Sequence, residues 1–140
     1  MAIPVQITFD AHDPARQAQF WALALDYVRQ PPPPGFDSWE DFAGKIGIPQ
    51  DQWDRLDAVV DPDGVGPRVL FQKVPEGKTV KNRVHLDVNV GGHADDRKER
   101  AQAHREKLEG AGARFLHEVD EPTGWCLVMA DPEGNEFCLQ

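Results

Sequence analysis

The chain has 140 residues, 24 acidic against 15 basic side chains and a formal net charge of −9. A surface of that sign repels phosphate backbones, which argues against a nucleic-acid partner, and no run approaches the roughly 20 apolar residues of a membrane span. Apolar residues make up 40% and charged residues 28%, the balance of one globular domain over residues 1–140.

Residues 3–10 alternate, with Val5, Ile7 and Phe9 on one face and Gln6, Thr8 and Asp10 on the other, as a half-buried strand does. Asp13-Pro14 reads as a helix N-cap followed by proline at the first helical position. Ala18, Trp21, Ala22 and Leu25 then recur at helical spacing along residues 15–25. Tyr27 and Val28 begin a short strand, which the prolines at 31–34 end because no ladder tolerates them. Residues 31–55 read as an insertion with aromatic anchors: Ser38 with Asp41 predicts a short capped helix carrying Trp39 and Phe42, and Pro49 opens a turn carrying Trp53.

Residues 56–60 and 68–74 are the next strands, with a turn at 61–64 between them. A polar connection, 75–82, leads to residues 83–90, where Val84, Leu86, Val88 and Val90 share one face and Arg83, His85, Asp87 and Asn89 the other. Gly91-Gly92 breaks that strand. Residues 95–111 form a charged helix with Ala101, Leu108 and Ala111 inward, and the remaining charges read as a solvated face. Strands at 113–117, 125–130 and 135–140 follow, with a turn at 131–134. His12, His93, His104 and His117 read as solvated. Gly64-Val-Gly66 has neither the helix nor the lysine of a phosphate loop. Cys126 and Cys138 are too few for a disulfide scaffold and lack zinc-ligand spacing, so they read as buried thiols. With no basic, apolar leader in residues 1–5, the expected compartment is the cytoplasm.

Asp61-Pro-Asp-Gly returns 70 residues later as Asp131-Pro-Glu-Gly, and each copy leads to a strand ending in glutamine, Gln72 and Gln140. Each half reads strand, helix, three strands. The expected fold is therefore α+β: two paired βαβββ modules, about 3–74 and 83–140, forming a curled mixed-sheet cup with helices outside. If the sheets curl, the polar rows Gln6, Thr8, His85, Asp87, Asn89, Glu136 and Gln140 line an inter-module cavity that suits a small molecule.

Three stretches carry a family resemblance: residues 6–21 with Asp13-Pro14 and Phe20-Trp21, Arg83-Val-His-Leu-Asp-Val88, and Ala130-Asp-Pro-Glu-Gly-Asn-Glu-Phe-Cys-Leu139. They resemble the vicinal oxygen chelate superfamily of glyoxalase and bleomycin-resistance relatives, and most of all its small glyoxalase-like domain proteins of actinobacterial type. The resemblance spans nearly the whole chain outside 31–55. It implies a divalent metal (zinc, nickel, manganese or iron) held by first- and last-strand residues, which fall on Gln6, His85 and Glu136, with His85 and Glu136 as the catalytic pair. A fourth ligand is missing: by the repeat, Glu136 corresponds to about Arg68, with Leu70 and Gln72 beside it, and none is a carboxylate. That departs from four-ligand glyoxalase chemistry, and Gln6 departs from the two-histidine, one-carboxylate iron set.

Arg68, Gln72, Arg83 and Asp87 are the expected substrate-binding residues on the polar rows. Arg83 or Arg68 is also a partner for Glu136 in an ion pair that orients a ligand. Trp39, Trp53 and Trp125 are either lid aromatics that stack a flat ligand or ordinary packing. Three functions compete. The first is a metal-assisted lyase or isomerase acting on a small carbonyl or hydroxylated aromatic compound. The second is a drug- or metabolite-sequestering module without chemistry. The third is a degenerate partner domain. A homodimer is the expected assembly, since relatives pair chains to bury their cups.

Overall fold

The computed structural model describes residues 1–140, which cluster into two compact units: residues 1–22 with 26–77, and residues 23–25 with 78–140. No helix is long and apolar enough to cross a membrane.

The first unit opens with β1 (Ile7–Ala11) and α1 (Pro14–Leu25). The Asp13 side chain accepts the Arg16 N–H at 3.1 Å, the expected cap. Asp26 ends α1 in the left-handed region at φ 56°, and the Tyr27 N–H closes the turn on the Ala22 carbonyl. β2 (Val28–Arg29), α2 (Trp39–Lys45), a 3-10 turn (Gln50–Gln52), β3 (Leu56–Val60) and β4 (Val69–Lys73) follow. The sheet order is β1-β4-β3-β2, with β1 parallel to β4. Val59, Val69 and Phe71 are fully buried, and Phe9 meets Trp21 and Phe71 edge-on at 5.1 and 5.5 Å between ring centroids.

The second unit repeats the plan. β5 (Asp87–Val88), α3 (Arg97–Glu109), β6 (Arg114–Glu121), β7 (Gly124–Ala130) and β8 (Glu136–Leu139) give a sheet ordered β5-β8-β7-β6, with β5 parallel to β8. Leu127, Met129, Phe137 and Leu139 are buried, as are Ala101 and Leu108 of α3. The Arg105 guanidinium lies 3.6 Å from the Phe115 ring centroid and the Lys98 ammonium 5.2 Å from that of Trp125. Ion pairs Arg100–Asp96 and Arg105–Glu109 line the exposed helix face.

The two turns are built alike. In each, the first aspartate accepts the N–H two residues on at 2.9 Å, from Asp63 and from Glu133. The glycine N–H closes on that aspartate's carbonyl, and Gly64 and Gly134 take φ of 71° and 89°, which favours glycine. The equivalence then runs strand by strand. Val59 pairs with Val69 as Met129 pairs with Phe137, and Thr8 pairs with Leu70 as Asp87 pairs with Cys138. His85 is thus the counterpart of Gln6, Asp87 of Thr8, and Glu136 of Arg68.

Two strands are shorter than their alternation predicts, for one reason. β5 is paired only at 87–88, and Val84, expected inward, is 80% exposed. Its partner begins at Glu136, which falls opposite His85, so residues 83–84 run past the end of β8 into the register of the preceding turn. Likewise β1 starts at Ile7 rather than at residue 3, leaving Val5 and Ile3 72% and 88% exposed. In register, Val5 falls opposite Pro67, which has no N–H to donate. β6, by contrast, runs to Glu121, beyond the expected 117.

Gly91 lies where any side chain would collide with α3: a Cβ there would stand 2.4 Å from Arg97 Cα. Gly91→Ala should therefore lose about 1–3 kcal/mol in urea unfolding. Asp61 supplies a pH-dependent counterpart. N–H groups of Gly66, Asp63 and Val65 hold its carboxyl below the usual range against a small opposing effect of burial. A depressed folded-state value stabilises the fold above the unfolded value, about pH 4, and that contribution is lost as pH falls through the folded value. The stability penalty of Asp61→Asn should therefore be full at pH 7 and shrink below about pH 4 in denaturation curves taken across pH.

Candidate functional site on the second sheet

One face of β5, β8 and β7 gathers ligand-type and ionisable side chains. The β7–β8 register pairs Val128 with Cys138 and Ala130 with Glu136, so Cys126, Cys138, Glu136 and Gln140 share a face. The β5–β8 register adds His85, Asp87 and Asn89 to it. Gln140 Nε2 donates to Asn89 Oδ1 at 2.9 Å along this row. Trp125, Leu127 and Met129 point the other way, into the core.

The imidazole of His85, the carboxylate of Asp87 and Sγ of Cys138 each place a ligand-type atom within 4.8 Å of the others. His85 Nδ1 donates to Asp87 Oδ1 at 2.9 Å. Burial pushes the Cys138 thiol up to about 12, and contact with the Cys126 thiol and the Asp87 carboxylate adds to the rise. Cys138 is therefore a neutral thiol at pH 7, not a nucleophile. An open depression of about 560 Å³ beside His85 is lined by Val80, Lys81, Asn82 and Arg83.

Glu136 is the best-held carboxylate on this face. Lys78 Nζ donates to it at 3.1 Å and the Asn82 N–H at 2.9 Å. Burial favours its neutral form, but the Asn82 N–H and the Lys78 ammonium outweigh that and hold its carboxyl below the usual range. The partner of Glu136 is thus Lys78, where the sequence suggested Arg83 or Arg68. No local pattern signals this contact, since 58 residues separate its ends.

Gln6 lies in the first unit, where its Oε1 accepts from Arg68 at 2.7 Å. Arg68 also donates to Gln30 Oε1 at 2.6 Å, and Gln72 donates to Asp10 at 2.9 Å. The tryptophans serve as anchors: Trp39 Nε1 donates to the Gln30 carbonyl and Trp53 Nε1 to the Ile48 carbonyl. Trp125 is 4% exposed and donates to Glu118. His104, read from sequence as solvated, is half-buried and donates to the Ala24 carbonyl at 2.9 Å.

The donor chemistry bears on a metal. Imidazole, carboxylate and thiol together suit a divalent transition ion. Glu136 and the Gln6 amide oxygen, two of the three ligands the resemblance implies, already hold cationic groups of the chain itself.

The model of the glyoxalase-like domain matches residues 6–140. The chain belongs to the glyoxalase-like domain family. No curated protein matches the sequence. Among solved structures, the fold is similar to fosfomycin resistance protein FosX from Mesorhizobium loti, with TM-score 0.65 and 13% identity over 100% of this chain and 91% of that one. A point mutant of FosX from Listeria monocytogenes, complexed with Mn(II) and 1S,2S-dihydroxypropylphosphonic acid, gives TM-score 0.65 and 11% identity, covering 100% and 90%. A glyoxalase/bleomycin resistance protein/dioxygenase family enzyme from Burkholderia phytofirmans gives 0.61 and 14%, covering 96% and 94%. At these identities the likeness is one of fold.

The Lys78–Glu136 pair is shielded, its side chains 19% and 17% exposed. Lys78→Met would leave the Glu136 carboxylate with backbone N–H groups but no cation and should cost about 1–3 kcal/mol in urea unfolding. Adding Glu136→Gln should recover part of that loss, a coupling that a double-mutant cycle measures.

Proposed function

We propose that this protein binds a small oxygenated molecule on the polar face of its second sheet. We propose further that, with a divalent ion held at His85, it acts as a lyase or isomerase on a carbonyl or hydroxylated aromatic compound. The observation that carries this reading is the convergence of His85, Asp87 and Cys138 beside an open depression, on the strand pair that also presents Glu136. A divalent ion there would supply electrophilic polarisation of a substrate oxygen. Glu136 is the group suited to take a proton: its neighbours hold it ionised, so at neutral pH it is a base rather than an acid. Arg83 and Lys81 line the depression, where they would orient an anionic or polarised group.

A second reading, sequestration without chemistry, is favoured by a separate observation. An ammonium group of the chain already sits 3.1 Å from Glu136, and a cation in place there discourages a second one. The two readings separate in one experiment. The full chain is incubated with small 2-oxoaldehydes, catechols and fosfomycin, with and without chelator, while turnover and melting temperature are followed. The enzymatic reading expects turnover that chelator abolishes and that falls at least about a hundredfold in Glu136→Gln, the scale of a lost general base. Ligand-induced stabilisation without turnover, indifferent to chelator, would establish sequestration instead.

A further inference from the structure

We infer that Cys138, His85 and Asp87, with Cys126 as the neighbouring thiol, form a binding site for a thiophilic divalent ion of the zinc class. The inference rests on the same cluster of His85, Asp87 and Cys138 that carries the proposed function, but it needs neither turnover nor Glu136, so ion binding can stand where the catalytic reading fails.

The fold itself supplies a control. The four positions recur in the first module, where the register puts Gln6 at the place of His85, Thr8 at that of Asp87 and Leu70 at that of Cys138. Leu56, opposite Gln72, stands where Cys126 falls opposite Gln140. An amide, a hydroxyl and two leucines occupy the same positions on that sheet face. Nothing in the βαβββ plan therefore requires imidazole, carboxylate and two thiols there. The second module concentrates ligand-type side chains at positions where the first has two leucines.

Charge points the same way. Cys138 is 8% exposed and touches both the Cys126 thiol and the Asp87 carboxylate. A divalent ion that displaces the Cys138 proton meets one thiolate and one carboxylate, which balance it, with neutral His85 as a third donor. Thiolate selects zinc or cobalt over manganese, magnesium or calcium, which prefer oxygen. Metal–ligand distances of about 2.0–2.3 Å put tetrahedral donor atoms roughly 3.3–3.8 Å apart, so donors that lie within 4.8 Å of one another need only a small adjustment. The side chains of His85 and Asp87, 43% and 44% exposed, have room to make it. Three protein ligands would leave a position open toward the depression lined by Arg83 and Asn82.

The test uses the full chain, reduced and freed of metal by chelator, titrated with Co²⁺, Zn²⁺ and Mn²⁺. One equivalent of Co²⁺ should bind with a tetrahedral visible spectrum and a thiolate-to-cobalt charge-transfer band. Zn²⁺ should displace it and Mn²⁺ should not. Cys138→Ser should abolish the charge-transfer band, and Asp87→Asn should weaken affinity at least about tenfold. Glu136→Gln should leave the band and the stoichiometry in place. Far-ultraviolet circular dichroism confirms that each variant is folded. A cobalt spectrum without the thiolate band, or binding that survives Cys138→Ser but is lost in Glu136→Gln, would overturn the assignment. So would no binding by the folded wild-type chain.

Discussion

The Asp131 carboxylate governs which side chains the second sheet presents on each face. Buried to 3% exposure, it accepts the N–H groups of Glu133 and Asn135 and the Asn135 side-chain amide, and so fixes the turn that starts β8. That turn sets the β7–β8 register, and the register decides which residues of β8 face the core. Phe137 and Leu139 go inward, while Glu136, Cys138 and Gln140 go to the polar face. A slip of one residue would bury the carboxylate and expose the phenyl ring. The parallel pairing of Asp87 with Cys138 then brings β5 into line, and the ligand-type side chains meet because two strands are in step rather than because they are close in sequence.

The same turn at Asp61 builds the first sheet, yet its polar face is different in kind. A guanidinium, Arg68, stands where the second module has Glu136, and it links Gln6 to Gln30 across the sheet. One module thus carries an amide–guanidinium chain and the other a cluster of imidazole, carboxylates and thiols. The two modules share the scaffold, held by Asx turns and a buried apolar face, and differ on the opposite face. Fold and chemistry are separable here because they use opposite faces of the same strands.

Much of the scaffold was legible in the sequence. The Asp-Pro-x-Gly repeat, the Asp13 cap and the Ser38 cap each announce a backbone hydrogen bond by local residue chemistry, and each is present. The alternation at 83–90 put His85, Asp87 and Asn89 on one face correctly but overstated the strand, because alternation does not reveal where the partner strand ends. The site was less legible. The face taken by residues 125–130 depends on a register that one sequence leaves open, so the meeting of Cys126 with Cys138 could not be read. Lys78 reaching Glu136 depends on the path of the 75–82 connection, which carries no periodic signal. The tryptophans were ambiguous for a related reason: an indole that stacks a ligand and one that anchors a loop through Nε1 look alike in sequence.

The central claim is that the polar face of β5, β8 and β7 is the functional surface and that His85 and Cys138 act there together. NMR of the isotopically labelled chain during zinc titration tests it most directly, because it reads both side chains at once. The account predicts that the His85 ring nitrogens and the Cys138 Cβ shift together, saturating at one equivalent, while Gln72 and Arg68 of the first sheet stay where they were. Shifts confined to exposed acidic residues elsewhere, with His85 and Cys138 unmoved, would contradict it.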